Sequence, residues 1–172
     1  IIQTEPRGNG TAFRKKQKKI FFDTEEKKMK IAVVCANGRT GSLVVDEAVK
    51  RGFDVTAFVR TENHSAAEKA VVKDLFDITK EDLKDFDAVV DAFGAWTPET
   101  IGLIPKAVKH LCDVLSGTKT RLVVVGGAGS LYVNPEHTLC VADGKDFPDA
   151  FKPLAAAHDE ALKLLRGRND VR

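Results

Sequence analysis

The sequence predicts an α/β fold, a doubly wound parallel sheet with the strand order 3-2-1-4-5. The first observation is an apolar run, residues 31–34, in which no polar residue alternates, as is typical of a strand buried on both faces. The second is the alternation of strands and helices from Met29 onward, which favours parallel pairing through right-handed crossovers. The third is the length of 172 residues, which fits one domain with its own core.

Five short segments are predicted strands because they are rich in β-branched, aromatic and other apolar residues. They cover residues 31–34, 54–60, 70–73, 86–92 and 121–125. The first ends in a glycine-bearing turn, Asn37 to Gly41, and the fifth runs into a second glycine-rich segment, residues 126–130. We expect a crevice where strands one and four diverge, at the carboxyl ends of the strands.

The helices are predicted from spacing and from their caps. Helical spacing extends over residues 42–51, and residues 66–69 suggest a short helical turn. The pair Thr79 and Asp82 resembles a capping box that opens a brief helix. A longer helix begins at Thr97 and runs towards residues 116–117, with Pro105 kinking or restarting it. The last helix spans residues 153–166, with an apolar face formed by Leu154, Ala157, Ala161 and Leu165.

The composition is that of a soluble globular protein, with 43% hydrophobic and 30% charged residues. The formal net charge of +2 indicates no particular partner, and no apolar stretch reaches membrane-spanning length. The three cysteines, Cys35, Cys112 and Cys140, share no CxxC spacing and are interpreted as reduced thiols of a cytoplasmic protein. The neighbouring His and Cys residues lack a convergent ligand set, so no metal site is predicted.

Residues 1–28 differ from the rest of the chain, because they begin with Ile1 and carry a cluster of Lys and Arg at residues 14–19. One interpretation is a basic arm for nucleic acid or nuclear targeting. We favour a disordered leader that is not native, with the natural start at Met29, which leaves nucleic acid binding as the less favoured hypothesis. The predicted domain is then residues 29–172.

The turn at Asn37 to Gly41 is a candidate phosphate site. Backbone N–H groups at a helix start attract a pyrophosphate, and glycine allows the phosphate to approach the backbone closely. An ordinary strand-to-helix turn would also contain glycine, so the spacing alone leaves both interpretations open.

Other strand ends carry groups that can contact a nucleotide. Arg60 stands where an acidic residue would bind the ribose of NAD, and a cation there suits the 2′-phosphate of NADP, although a solvated arginine is an equal alternative. Asp74 could accept from an adenine amino group or cap the next loop. Trp96 could stack on a ring or pack against a helix. Glycines 126, 127 and 129 allow close approach of a ligand or an irregular turn.

Several blocks together make a specific resemblance. KIAVVCANGRTG, DAFGAWTPE and LVVVGGAGSLYV, in this order, resemble the atypical short-chain dehydrogenase/reductases, in particular the NAD(P)H-binding, NmrA-like branch with its putative NADH-flavin reductases. The resemblance covers Met29 to the chain end and implies a Rossmann fold. It also implies that pyrophosphate, 2′-phosphate, adenine and nicotinamide contacts come from Asn37, Gly38, Arg39, Thr40, Gly41, Arg60, Asp74, Leu75, Ala92, Phe93, Gly94 and Gly126.

Three features depart from the family pattern. Cys35 occupies the first glycine position of the turn, so its side chain could strain the loop; a buried, inert thiol is favoured over a reactive one. The Tyr-x-x-x-Lys pair is missing, since Glu136 stands where the lysine partner of Tyr132 belongs. Family members continue into a sixth strand, whereas this chain ends where that strand should begin, so we expect it to be missing.

The predicted function is an oxidoreductase that binds NADP(H), or alternatively NAD(H), and transfers hydride to a flavin- or quinone-like small molecule. Such acceptors need little acid catalysis, which matches the missing Tyr/Lys pair. If a side chain assists, Ser130 is the first candidate and Tyr132 the second. A rival interpretation is an NmrA-like regulator that senses NADP(H) without turnover, and a third is a nonproductive gene product. The sequence does not identify the oligomeric state.

Overall fold

The computed structural model describes residues 28–172. The leader predicted for residues 1–28 lies outside the described residues except for Lys28, which is exposed. The described part is a five-stranded sheet with helices on both faces. No helix in it is long and apolar enough to cross a membrane.

The strand order is β3-β2-β1-β4-β5 and every pairing is parallel, which confirms the predicted fold class. The strands are β1 (Lys30–Val34), β2 (Asp54–Val59), β3 (Lys69–Val72), β4 (Ala88–Asp91) and β5 (Arg121–Val124). In the register, Val34 at the end of β1 lies beside Phe58 of β2 and Asp91 of β4. The carboxyl ends of the strands therefore meet at one edge of the sheet.

Five α-helices connect or follow these strands. They are α1 (Arg39–Lys50), α2 (Lys80–Leu83), α3 (Pro98–Ile101), α4 (Leu103–Leu115) and α5 (Lys152–Arg166). α1 begins at Arg39, three residues before the predicted start. The capping box of α2 is confirmed, because Thr79 N donates to Asp82 Oδ2 at 2.7 Å while Asp82 N donates back to Thr79 Oγ1.

The structure decides two predictions about helices, one for residues 66–69 and one for Pro105. The helical turn predicted for residues 66–69 is wrong: Asn63 Nδ2 donates to Ala67 O at 2.9 Å and Asn63 Oδ1 accepts from Ser65 N at 3.0 Å, which holds the segment open, and Lys69 already belongs to β3. At Pro105, of the two predicted possibilities, the structure shows a new helix that starts shortly before the proline and not a kink within one continuous helix. α3 ends at Ile101, Gly102 separates the helices, and Pro105 falls in the first turn of α4, where a missing N–H costs nothing.

The sheet separates two hydrophobic clusters. α1 covers one face, where Val45 and Ala48 pack with Val33 and Ala57. α4 and α5 cover the other face, where Leu111 and Ala161 pack against Val89. Burial on both faces explains why the central strands lack polar alternation.

The chain end lies along the outer edge of β5. Leu122 N donates to the carbonyl of Arg172 at 2.8 Å, and Gly117 N donates to the carbonyl of Asp170 at 2.9 Å. Arg168 anchors this segment through ion pairs with Asp113 and Asp170. Residues 28–172 thus contain five strands, with the last residues hydrogen-bonded beside the fifth.

Candidate functional site

A cavity of about 1460 Å³ runs across the carboxyl ends of the strands, where the crevice was predicted. It exceeds the roughly 300–1,000 Å³ of an ordinary small-molecule pocket, which leaves room for an extended ligand such as a dinucleotide. Its lining includes eleven of the twelve predicted cofactor residues: Asn37, Gly38, Arg39, Thr40, Arg60, Asp74, Leu75, Ala92, Phe93, Gly94 and Gly126. The structure brings these dispersed residues together around one space; their roles in binding stay predictions.

The turn between β1 and α1 is tight, and Cys35 occupies its sharpest point. Cys35 has φ of 61°, in the left-handed region that favours glycine, so this non-glycine residue takes the glycine conformation. Gly38 N donates to Cys35 O at 2.9 Å and Ala36 N donates to Phe58 O at 3.2 Å, which fixes the turn against β2. The expected strain at this departure from the family pattern is therefore located at Cys35.

Gly41 is buried beneath this turn and does not line the cavity. A Cβ there would lie 2.3 Å from Cys35 O and 2.9 Å from the Cα of Ala36, both backbone atoms. Only glycine allows the helix to pack so closely on the preceding strand. The residue that was predicted to line a pyrophosphate thus shapes the loop from below.

The start of α1 faces the cavity. Its N-cap is Gly38, no side chain caps the helix, and the first N–H groups of a helix have no intrahelical partners. These donors and the positive end of the helix dipole suit an anion. A Cβ at Gly38 would lie 3.2 Å from Cys35 O, so a side chain would crowd this cradle.

The Asn37 side chain has a use that the sequence did not reveal. Its Nδ2 donates to Glu62 O at 2.8 Å, and its Oδ1 accepts from His64 N at 2.8 Å. Asn37 thereby ties the loop after β2 to the turn after β1. This contact positions the segment that follows Arg60.

Among residues 28–172, three permanent cations line the cavity, and all three belong to the side formed by β1, β2 and β3. Lys73 is engaged by the carboxylate of Asp82 at 2.7 Å, a contact that helps lower the pKa of Asp82 to about 2. Arg39 and Arg60 are exposed, and neither has a carboxylate partner among residues 28–172. They remain available to an anionic ligand.

The segment after β3 combines a cap with cavity lining. Asp74 Oδ1 accepts from Phe76 N at 2.9 Å, which is the capping role that the sequence left open beside adenine binding. Leu75 is 4% exposed and anchors the segment in the core. Phe76 was not singled out from the sequence, yet it lines the cavity, is 39% exposed and has its ring 5.9 Å from that of His110.

At the end of β4, the buried carboxylate of Asp91 holds the turn that follows the strand. Asp91 is 3% exposed, and its Oδ1 accepts from Phe93 N at 3.0 Å. Burial raises the pKa of Asp91 to about 6, although the hydrogen bond from Phe93 opposes the shift. This turn presents Ala92, Phe93 and Gly94 to the cavity.

The glycines after β5 are explained by the packing of α5. A Cβ at Gly127 would lie 2.8 Å from His158 Cδ2, and a Cβ at Gly129 would lie 2.8 Å from Ala155 Cβ. A Cβ at Gly126 would meet nothing within 4 Å. Gly127 and Gly129 thus admit the helix, whereas Gly126 borders open cavity space.

The two predicted catalytic residues do not line the main cavity. Ser130 borders a smaller adjoining cavity of about 90 Å³, together with Asp91 and His158, and its Oγ donates to Gly127 O at 3.2 Å. Tyr132 stacks on His137 at 4.6 Å and accepts from Arg166 Nη1 at 3.3 Å. Their catalytic roles stay predictions.

Several lining residues come from the segment before α5 and from α5 itself. They are Phe147, Phe151, Leu154, Ala155 and His158. Sequence periodicity placed Leu154 on the apolar face of a helix, but no local signal indicated that this helix reaches the strand ends. His158 borders both cavities, and burial lowers the pKa of its imidazole, which favours the neutral form.

Cys35, the cysteine at the turn after β1, has the character of an inert thiol. Burial, reinforced by the charge of Asp91, raises the pKa of Cys35 to about 11, so the thiol is protonated at neutral pH. Burial also raises the pKa of Cys112, and all three cysteines are free. Among residues 28–172, no group of three His, Cys, Asp or Glu could hold a metal ion.

Comparison with known proteins fits this geometry. The pattern of the NAD(P)H-binding family matches residues 35–170. The uncharacterized protein YwnB from Bacillus subtilis is 41% identical over 146 residues, which are 83% of this chain and 68% of that protein. The crystal structure of a putative NADH-flavin reductase from Streptococcus pneumoniae is 53% identical with a TM-score of 0.81, covering 83% of this chain and 68% of that one.

A more distant structure shares the fold alone. A short-chain dehydrogenase/reductase superfamily protein from Agrobacterium tumefaciens, solved with bound NAD, is 22% identical with a TM-score of 0.61. The match covers 80% of this chain and 44% of that one. The sheet at this cavity is thus shared with a dinucleotide-binding structure.

Proposed function

The chain belongs to the NAD(P)H-binding family, and we propose that it prefers NADPH and transfers hydride to a flavin- or quinone-like acceptor. Its enzyme class is NAD(P)H-dependent oxidoreductase. One observation carries the proposal: a single cavity joins the anion cradle of α1, Arg60, which has no carboxylate partner within residues 28–172, and the small residues after β4. The similarity to the putative NADH-flavin reductase from Streptococcus pneumoniae supports the acceptor class.

The preference for NADPH is supported by charge at the end of β2. Arg60 lines the cavity two residues before the loop that Asn37 ties down, and Arg39 lines it from the start of α1. A guanidinium binds a phosphate through two parallel hydrogen bonds, and an unpaired one does so without first breaking an ion pair. Both arginines therefore suit the 2′-phosphate that distinguishes NADPH from NADH.

The other lining residues suit the remaining parts of the dinucleotide along the cavity. The α1 cradle would hold the pyrophosphate, the segment at Asp74 and Leu75 the adenine, and the backbone at Ala92 to Gly94 the nicotinamide. When bound, the reduced nicotinamide supplies the hydride. The chain binds, orients and shields the reactants, so catalysis rests on proximity.

The product needs one proton from solvent, because NADPH, the oxidised acceptor and one proton give NADP⁺ and the two-electron-reduced acceptor. Tyr132 lies outside the cavity, and no lysine lines its nicotinamide end among the described residues. This matches an acceptor that needs little acid catalysis. Ser130, in the adjoining cavity, remains the first candidate for an assisting hydroxyl.

Steady-state NADPH oxidation with added riboflavin or menadione tests the function. We expect turnover that depends on both substrates, and Ser130→Ala should lower it without changing the NADPH dissociation constant if the hydroxyl assists. Binding of NADPH without oxidation would instead support the alternative, an NmrA-like NADP(H) sensor. No binding of NADPH or NADH in a thermal-shift assay would contradict both functions.

A further inference from the structure

One end of the cavity is aromatic and exposed. We define the acceptor end by Trp96, Phe147, Phe151, Leu154 and His158, which line the same cavity as residues 92–94. Trp96 is 74% exposed and Phe151 is 51% exposed. Within residues 28–172, neither ring is paired with another aromatic ring. Aromatic side chains left open in a cavity indicate a ligand that covers them.

The two exposed rings come from separate elements. Trp96 follows β4 and lies next to Gly94, where a Cβ would be 3.7 Å from the indole Nε1. Phe151 directly precedes α5, the helix that also brings His158 to the cavity. A planar ring beside residues 92–94 would therefore meet apolar surface from both segments.

The charge distribution along the cavity is uneven. The three permanent cations that the described part of the chain contributes to its lining, Arg39, Arg60 and Lys73, belong to the cofactor side. No Lys or Arg of residues 28–172 lines the acceptor end, and burial lowers the pKa of His158, which disfavours its charged form. Lys152, which follows Phe151, is outside the lining and forms an ion pair with Asp149 at 2.6 Å. The acceptor end, within residues 28–172, thus offers no permanent cation to pair with a phosphate group.

We propose that the acceptor end binds an uncharged planar conjugated ring, such as an unphosphorylated flavin or a quinone nucleus, and discriminates against phosphorylated flavins. The inference rests on the proposed function, because the ring must lie beside the nicotinamide end to accept hydride. Trp96 and Phe151 determine this specificity by stacking on the ring. A phosphorylated side chain would lose hydration there without gaining a cation.

Binding measurements test the site independently of turnover. Trp96 is the only tryptophan, so its fluorescence reports on this end of the intact chain. In the presence of NADP⁺, titration with riboflavin should quench it, with a dissociation constant at least about fivefold lower than for FMN. Phe151→Ala should raise the riboflavin dissociation constant roughly three- to tenfold, the magnitude of aromatic stacking.

Trp96→Ala removes the probe, so the fluorescence of riboflavin itself serves in equilibrium dialysis. We expect a similar loss of affinity and its recovery in Trp96→Phe. Val133→Ala is the matched control, because Val133 is 60% exposed and lies outside the cavity lining. Thermal unfolding of each variant checks that the fold is retained.

The outcomes separate this inference from the proposed function. FMN binding as tightly as riboflavin, or wild-type affinity in both alanine variants, overturns the inference even if NADPH oxidation proceeds. Riboflavin binding with the expected losses but without NADPH oxidation supports the site and contradicts the proposed function. A failure of both riboflavin and menadione to bind overturns the acceptor end as a site.

Discussion

The two ends of the cavity are built in different ways. The cofactor end, formed by residues 37–40, 60–61 and 73–76, has a shape that backbone contacts decide, as at Cys35 and Gly41. The acceptor end is assembled from segments far apart in sequence, and exposed side chains such as Trp96 and Phe151 form its surface. A site shaped by backbone contacts tolerates few substitutions, whereas a site formed by exposed side chains can be substituted without disturbing the fold.

The largest effect is expected from Gly41→Ala at the cofactor end. Its Cβ would lie 2.3 Å from Cys35 O, a backbone atom that cannot yield without moving the turn. We expect a loss of about 3 kcal/mol in the free energy of unfolding, together with weaker NADPH binding. Urea denaturation and NADPH titration measure the two.

Gly102→Ala is the control for that variant, because a Cβ there meets nothing within 4 Å and φ is −64°. Its free energy of unfolding should be unchanged or slightly higher. Equal stability of Gly41→Ala and Gly102→Ala would contradict the view that backbone packing decides the cofactor end.

A smaller effect is expected from Asp91→Asn, at the end of β4, where the side chain borders the adjoining cavity. Burial raises the pKa of Asp91 from 3.8 to about 6, so the folded state holds a proton that the unfolded state releases between these pH values. The stability of the wild type therefore falls, relative to the variant, as the pH rises from 4 to 6. Above pH 6 the ionised carboxylate costs roughly 2–3 kcal/mol.

Asn keeps an oxygen that can accept from Phe93 N but has no charge to bury. Urea denaturation of both proteins at pH 4.5 and 7.5 checks the prediction. Asp91→Asn should be the more stable protein at pH 7.5, and the difference should shrink at pH 4.5. A pH-independent difference would show that the carboxylate does not titrate as its burial implies.

The smallest effects are expected from removing one aromatic side chain at each end of the cavity, Phe76 or Trp96. Phe76 is 39% exposed and lies on the cofactor side, so Phe76→Ala should raise the NADPH dissociation constant about threefold and leave riboflavin affinity unchanged. Trp96→Ala should do the reverse. Leu43→Ala is the control, since Leu43 is 65% exposed on α1 and outside the cavity. If both variants lost NADPH affinity and riboflavin affinity equally, the two ends of the cavity would not be separate binding sites.

The same contrast explains what the sequence could predict. The strand order and the crevice follow from local patterns: an apolar run, glycine spacing and alternating elements. The tight turn at Cys35 was implied by the family resemblance. The turn over residues 66–69 was mispredicted because hydrogen bonds of Asn63 with Ser65 and Ala67 override weak local propensity. No periodicity reveals such side-chain contacts in advance.

The acceptor end was largely hidden from the sequence. The apolar face of α5 was predicted, but its arrival at the strand ends depends on tertiary packing, seen where His158 lies against Gly127. Conversely, Ser130 and Tyr132 are near in sequence to the strand end after β5, yet the structure turns them away from the main cavity. For these two residues, a short distance in sequence from the end of β5 did not predict a position in the cavity.

Dissociation constants for NADPH and NADH, measured for the wild type and Arg60→Ala, test the central claim most directly. Arg121→Ala is the control, because Arg121 is exposed at the opposite end of β5. We expect the wild type and the control to bind NADPH more tightly than NADH. Arg60→Ala should lose roughly ten- to hundredfold in NADPH affinity while keeping its affinity for NADH. Equal binding of the two cofactors by the wild type, or an unchanged preference in Arg60→Ala, would contradict the account.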